Sequence, residues 1–142
     1  MRQVVPFKRY HYRWLTERTA AADVGMGVDL SDSILVDLEK QNSWTGVVDG
    51  EPLVCAGTML QWPGRHAAWA YLGNDTAPYM LWITKETLKR LDAVKGRLEL
   101  TVRCDFPAGH RWATMLGFKV ETPRMEAYGP GGEAHTAYVR FN

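Results

Sequence analysis

An excess of charge of either sign is absent from this chain: 17 lysines and arginines stand against 16 aspartates and glutamates, a formal +1 over 142 residues. A balance that even gives no field to draw the chain to nucleic acid and no self-repulsion to keep it disordered, so neither role is expected. Long hydrophobic runs are missing as well. Residues 1–9 hold no apolar stretch of signal length and no later run approaches a membrane span, so a soluble, cytoplasmic protein without membrane contact is expected. Cysteine is scarce: Cys55 and Cys104 lie in strand-like apolar settings, are spaced for neither a metal knuckle nor a redox pair, and read as buried free thiols of a reducing compartment. No His, Cys, Asp and Glu cluster has metal-ligand spacing. The glycines of residues 129–132 are followed by neither Lys-Ser/Thr nor a helix, which makes them a hairpin connection and not a phosphate loop.

Aromatic residues, by contrast, are plentiful, with six tryptophans and six tyrosines. They build a large core or leave some rings for a partner surface. The length suits one domain over residues 1–142, with a core that needs no staples. A short strand over residues 3–7 leads to a helix over 10–18, where Phe7, Tyr10 and Trp14 share one face. Residues 19–27 read as a loop able to move. Ser31 caps the next helix, Leu30 and Leu35 staple it, and Ile34, Leu35 and Leu38 form its buried stripe. Two β-rich runs, 44–48 and 52–60, are joined by Asp49-Gly50, a strong hairpin signal. After Trp62-Pro63-Gly64-Arg65, residues 67–72 are almost wholly apolar, as in a central strand covered on both faces. Asp75 or Thr76 can cap a helix from Pro78 to Val94, with Met80, Ile83, Leu88, Leu91 and Val94 on its apolar face. Gly96 ends that helix and releases a strand over 97–103. A short helix over 110–115, the triplet Leu116-Gly117-Phe118, and strands over 119–128 and 134–141 complete the chain.

This order, with the Leu116-Gly117-Phe118 exit and the Asp49-Gly50 hairpin, resembles the GNAT acyltransferase family. The resemblance spans essentially the whole chain and implies an α/β (α+β) three-layer fold, with a mixed six- to seven-stranded sheet flanked by about four helices. It also implies a wedge between strands 67–72 and 97–103, where splayed backbones hold the arm of acetyl-CoA. The family grips the pyrophosphate with a Gln/Arg-x-x-Gly-x-Gly/Ala loop at a helix start, where amides and the helix dipole meet negative charge. Here residues 73–79 offer one glycine, no basic residue, an acidic Asp75, and Pro78 where an amide would be useful. The family's Asn, eleven residues before the exit glycine, is Phe106, and its proton-donating Tyr, four before, is Ala113. Both substitutions remove polar function. Cofactor contacts carried over by position are Tyr71, Leu72, Gly73, Asn74, Thr76 and Tyr79, with Asn74 and Thr76 also able to hold another group or simply to open a helix.

For acid–base work the candidates are His66, Tyr71 and Glu99, with Asp75 and His110 also near the presumed cleft and Tyr79 or Tyr128 as further phenols. His11 and His135 lie too far away. None of these groups forms a spaced pair or triad, and a core or surface role explains each of them as well. Two readings stand. In one, the chain has lost acetyl transfer and works as a non-catalytic binding or structural component, with a protein partner or self-assembly. Chains of this kind resemble the acetyltransferase-related proteins of tailed-bacteriophage virion modules, which implies residence in a host cytoplasm or a virion. Tyr12, Trp14, Trp62, Trp82 and Trp112 are then the rings from which an anchor would be drawn. In the other, it is an N-acetyltransferase with a divergent donor loop and acetyl-CoA as cofactor. A mixed α/β domain that only imitates the order of elements is separated from both by whether strands 67–72 and 97–103 are parallel neighbours.

Overall fold

Alternation with period two and apolar spacings of three and four partition the chain into strands and helices much as its sequence suggests. The computed structural model describes residues 1–18 and 30–142 and, between them, the backbone of residues 23–24. The described elements are β1 (Arg2–Pro6), α1 (Arg9–Arg18), β2 (Asp23–Val24), α2 (Asp32–Glu39), β3 (Ser43–Val48), β4 (Glu51–Trp62), β5 (Arg65–Leu72), α3 (Met80–Asp92), β6 (Arg97–Arg103), α4 (Pro107–Met115), β7 (Lys119–Met125) and β8 (His135–Phe141). Seven strands form one sheet in the order β1-β3-β4-β5-β6-β8-β7, and the two-residue β2 pairs with β5. Within this path β5 and β6 are parallel and every other neighbouring pair is antiparallel. Among the described residues no helix is long and apolar enough to cross a membrane.

Side-chain alternation along β5 divides the core into two layers. Ala68 and Ala70 turn toward Ile83 and Leu91 of α3 and Trp112 and Ala113 of α4. Trp69 and, partly buried, Tyr71 turn to the opposite face, where Tyr12 and Leu15 of α1 and Leu35 and Leu38 of α2 pack. A sheet buried on both faces needs apolar residues at successive positions, which is why β5 reads as a nearly continuous apolar run.

Two local devices work as the sequence suggests. Asp49 and Gly50 both take positive φ, 50° and 85°, the I′ geometry whose twist matches the flanking strands. At the other device, α4 ends on Leu116 and Gly117 reverses the chain at φ 87°. The Phe118 amide then donates to the Ala113 carbonyl at 3.1 Å and the Gly117 amide to Thr114 at 3.0 Å, satisfying carbonyls that the helix end leaves open. Arg140 donates to the carbonyl of Leu116 at 3.0 Å, and the Phe118 ring folds into the layer beneath α3 and α4.

Several boundaries and faces differ from expectation. The buried face of α1 carries His11, Tyr12 and Leu15, whereas Tyr10 is 65 % exposed and Trp14 only half-buried. Tyr10 and Trp14 are aromatic, yet the sheet selects the neighbouring stripe, where Thr45 bonds the His11 ring at 2.8 Å. The loop expected over residues 19–27 lies outside the described residues except at 23–24, which form β2. Neither Asp75 nor Thr76 caps a helix with its side chain: a 3-10 turn over Ala77–Tyr79 precedes α3. Asp75 instead takes φ 60°, the turn conformation that Asp tolerates, and Pro78 fits the first turn because its missing amide is not required there. The short helix begins at Pro107, three residues ahead of His110, and β7 stops at Met125. Cys104 is only partly buried, while Cys55 is fully enclosed and burial pushes its thiol up to about 12, so it is no nucleophile.

A methyl group on Gly117 would meet nothing nearer than the Arg140 side chain at 3.7 Å, so space is not what requires glycine there. Gly117→Ala is therefore expected to lower stability by the left-handed backbone cost alone, about 1–2 kcal/mol, read from urea unfolding midpoints. An unchanged midpoint would contradict this reading of the turn.

Candidate functional site

β5 and β6 are parallel neighbours for three pairs only: Arg65 with Arg97, His66 with Leu98, and Ala67 with Glu99. Glycines fix the joint at this end. The Arg97 amide donates to the Gly64 carbonyl at 2.8 Å, and a Cβ at Gly96 would stand 2.5 Å from that same oxygen. Beyond Ala67 the strands part. A cleft of about 530 Å³ touches Ala67 and Ala68 on β5 and Glu99, Leu100 and Thr101 on β6. Consecutive residues of a strand face opposite sides of its sheet, so a cleft touching both kinds runs between the strands and not over one face. Ile34, Met59, Met125 and Tyr128 wall it on the α1–α2 side.

Farther along, the wedge holds a piece of the chain itself. β2 pairs antiparallel with β5 through Asp23 with Tyr71 and Val24 with Ala70. The other edge of β5 is taken along its length by β4, from Arg65 with Trp62 to Leu72 with Val54. β2 therefore lies on the edge that faces β6, and it packs alongside β6 as well.

The loop that should receive a pyrophosphate is turned to other uses. The Gly73 amide donates to the Leu53 carbonyl at 2.8 Å, and a Cβ at Gly73 would stand 2.9 Å from Leu15 Cδ2 and 3.1 Å from the Leu53 carbonyl oxygen. The groove beside the loop includes Asp49, Glu51 and Asp75, with Arg18 as its one basic residue among those described. Arg18 is already placed over the Trp14 ring at 4.1 Å and bonds the Trp14 carbonyl and Glu17. Glu51 and Asp75 oppose a polyanion in this groove, while Asp49 is paired with the Met1 ammonium. The residues present here do not fit the diphosphate of coenzyme A.

Acid–base groups in the cleft are likewise committed. Glu99 accepts from Arg65 Nε at 2.8 Å and from Arg97 Nε at 2.7 Å, and Arg97 continues to Glu121 at 2.9 Å. Partial burial pushes the Glu99 carboxyl up, but the bonds from Arg65 and Arg97 outweigh it and hold the group below the usual carboxylate range. A carboxylate so stabilised is a poor general base. Ala113, at the position of the family's proton donor, is fully buried against the sheet, and Phe106 is partly buried on the same side. Sequence reasoning missed Tyr138. Its hydroxyl stands 2.7 Å from His110 Nδ1, and His110 Nε2 stands 2.9 Å from the Arg103 carbonyl. Because a carbonyl only accepts, Nε2 carries the proton and Nδ1 accepts from the Tyr138 hydroxyl. Burial, with the Cys104 thiol adding to it, pushes the Tyr138 phenol up.

The structure thus separates the sequence-derived candidates. Glu99 and Tyr71 are on the α1–α2 side, Glu99 among the residues that touch the cleft and Tyr71 against the Tyr12 ring at 5.1 Å. His66 turns to the other face, beside Gln41, Asn42 and Lys95. Leu72 packs against the core beneath α3, and Gly73, Asn74 and Tyr79 line the acidic groove with Asp75. Thr76 opens the 3-10 turn without a side-chain cap bond. Tyr128 walls the cleft, and His135 is buried under its ring at 5.1 Å. Of the rings considered as partner anchors, Tyr12 and Trp112 are core residues, Trp14 and Trp82 are half-buried, and Trp62 is exposed beneath the Arg65 guanidinium. No group of His, Cys, Asp and Glu suited to a metal ion occurs among the described residues.

No protein-family profile matches the sequence, and no curated protein matches it significantly. Solved structures do match in fold. The ribosomal-protein-S18-alanine N-acetyltransferase from Escherichia coli superposes with a TM-score of 0.68 at 16 % identity, over 98 % of this chain and 92 % of that one. A GNAT-family acetyltransferase from Streptococcus pneumoniae gives 0.71 at 14 % identity, covering 99 % and 98 %. An aminoglycoside acetyltransferase in complex with coenzyme A gives 0.61 at 14 %, covering 100 % and 95 %. The fold is that of the GNAT acetyltransferases, as the order of elements implies.

The Arg65–Glu99–Arg97 bridge has a pH consequence. With its folded value below the unfolded one, Glu99 contributes stability that is full above the ordinary carboxylate range and is lost as pH falls through the lowered value. Glu99→Gln should cost about 1.5 kcal/mol at neutral pH and flatten the acid limb of the urea midpoint against pH. An acid limb identical to that of the parent chain would contradict the assignment.

Proposed function

We propose that this chain is a GNAT-fold protein that does not transfer acetyl groups and serves as a binding or structural component for a protein partner. The observation that carries this reading is the turn at residues 73–76: its glycine amide is bonded to Leu53, its neighbours are carboxylates, and no basic residue stands on it. The missing phenol at Ala113 and the occupation of the β5 edge by β2 support it independently. A donor site can lose a phosphate grip or a proton donor and keep residual use; with both gone, and with a strand lying where the thioester arm would run, little remains for a donor to hold. The resemblance to acetyltransferase-related proteins of phage virion modules makes a virion or its assembly intermediates the first place to look for the partner.

A second reading, retained N-acyl transfer, is favoured by the Tyr138–His110 pair, because Tyr138 is a phenol touching the cleft with its proton held at a defined atom. Thermal unfolding with coenzyme A and acetyl-CoA separates the two. A ligand at a hundred times its dissociation constant stabilises by about 2.7 kcal/mol, a shift of several degrees for a domain of this size. The proposed reading predicts no shift at millimolar concentrations and no acetylation of small amines. A clear shift with turnover that Tyr138→Phe abolishes would replace it with the second.

A further inference from the structure

Among the described residues, His135 is enclosed at 2 % exposure with neither ring nitrogen hydrogen-bonded. An imidazole so placed forgoes one bond at its N–H and another at its lone pair, a cost that a phenylalanine in the same position would not bear. Its surroundings offer the ring a second state. The Glu133 carboxylate approaches Nε2 to 3.6 Å, just beyond hydrogen-bond reach. On another side the Tyr128 ring lies against the imidazole, with centroids 5.1 Å apart, and Tyr128 is also part of the cleft wall.

Glu133 reaches this place because the connection between β7 and β8 is made of glycines. A Cβ at Gly129 would overlap its carboxylate, and one at Gly131 would stand 2.8 Å from Oε2. The Gly129 amide donates to the Glu133 carbonyl at 3.0 Å and the Gly132 amide to the Gly129 carbonyl at 2.9 Å, so main chain and side chain of Glu133 close the same loop. Its own amide, the His135 ring and the Gly131 amide outweigh the upward push of desolvation and hold the Glu133 carboxyl below the usual carboxylate range. Around the imidazole, the other ionisable groups are the Tyr128 phenol and Arg103, the cross-strand partner on β6, whose guanidinium is paired with Asp105 at 3.3 Å; β7 presents Met125. Phenols and guanidiniums keep their charge state from about pH 8 to about pH 5, as do carboxylates held low, whereas imidazole is the side chain that changes charge there.

We propose that His135 and Glu133 form a proton-operated latch on the cleft wall: on gaining a proton the imidazole bonds the Glu133 carboxylate, the loop over residues 126–134 tightens around the pair and Tyr128 is pinned against the cleft, and on losing it Tyr128 is released. A carboxylate accepts at about four positions, so Glu133 takes the imidazolium without giving up its amide donors. The bond so formed is charge-assisted and about twice as strong as a neutral one. Burial opposes a charge on the ring, and a carboxylate already standing at 3.6 Å is what offsets it. The latch acts on the wall and is independent of what the cleft holds.

The test takes the full chain from about pH 8 to about pH 5, the span in which imidazoles change charge. Imidazole nitrogen shifts read the protonation of His135, and hydrogen exchange, corrected for the intrinsic rate, reads the amides of Gly129, Gly131 and Gly132. Their protection should rise about tenfold as His135 becomes charged, with stronger cross-relaxation between the Tyr128 and His135 rings. Glu133→Gln, a change at a partly exposed side chain, should leave the fold intact and remove the rise. Gly129→Ala, which pushes the carboxylate aside, should remove it too, and His135→Phe should hold protection constant with pH. Loop protection that stays level while His135 titrates would overturn the latch, as would a His135 ring that remains neutral throughout. A rise that persists undiminished in Glu133→Gln would also overturn it, because one of the histidines elsewhere, His11, His66 or His110, would then be its source. The comparison of the parent with Glu133→Gln decides the matter even if His135→Phe folds poorly.

Discussion

Three pairs of residues join the two halves of this sheet, and everything distinctive about the molecule follows from their stopping at three. Arg65, His66 and Ala67 meet Arg97, Leu98 and Glu99; past that point β4 keeps β5 and β8 keeps β6, but β5 and β6 no longer keep each other. The joint carries a concentrated load for so short a contact. Gly64 and Gly96 bring the backbones together, and Glu99 ties the guanidiniums of Arg65 and Arg97 across the seam. Paired opposite charges at the closed end and separated backbones at the open end make a hinge-shaped site whose floor is main chain. Main-chain sites tolerate sequence change, because donors and acceptors persist whatever side chains surround them.

That tolerance lets the fold of the GNAT acetyltransferases persist while the side chains around the wedge change. The fold asks for a nearly continuous apolar run on β5, apolar alternation on β6, a reversal at Gly117 and a ring beneath it, and all are present. The family's donor loop is glycine-rich with a Gln or Arg and its proton donor is a phenol on α4; residues 73–76 hold one glycine and no basic residue, and position 113 is alanine. Ala113 is fully buried, and its neighbour Trp112 is bonded to Thr84 at 2.9 Å. That buried hydrogen bond ties α4 to α3.

Much of the fold was legible because its signals are local. Asp49-Gly50, Ser31 before the α2 stripe, Gly96 and Leu116-Gly117-Phe118 each dictate a turn or a cap through backbone conformation that few other residues adopt at low cost. The buried face of α1 was not, since Phe7, Tyr10 and Trp14 and the alternative His11, Tyr12 and Leu15 are both plausible stripes until Thr45 and Trp69 select one. The site was legible chiefly by what it lacks. Glu99 could be named from its strand, but its ties to Arg65 and Arg97 depend on a parallel register that sequence does not state. Tyr138 and His110, 28 residues apart, meet only because β8 pairs with β6 while α4 crosses behind them. The two-residue β2 has no periodicity at all, and only the empty edge of β5 gives it a place.

Polypeptide lies in the wedge, where β2 pairs with β5. Scalar couplings measured through the hydrogen bonds between residues 23–24 and 70–71, recorded with and without saturating coenzyme A, test it most directly. The expected result is couplings across this ladder that coenzyme A leaves unchanged, with the amides of Gly73 to Thr76 unmoved. Loss of those couplings on addition of coenzyme A, together with shifts at the amides that open α3, would contradict it.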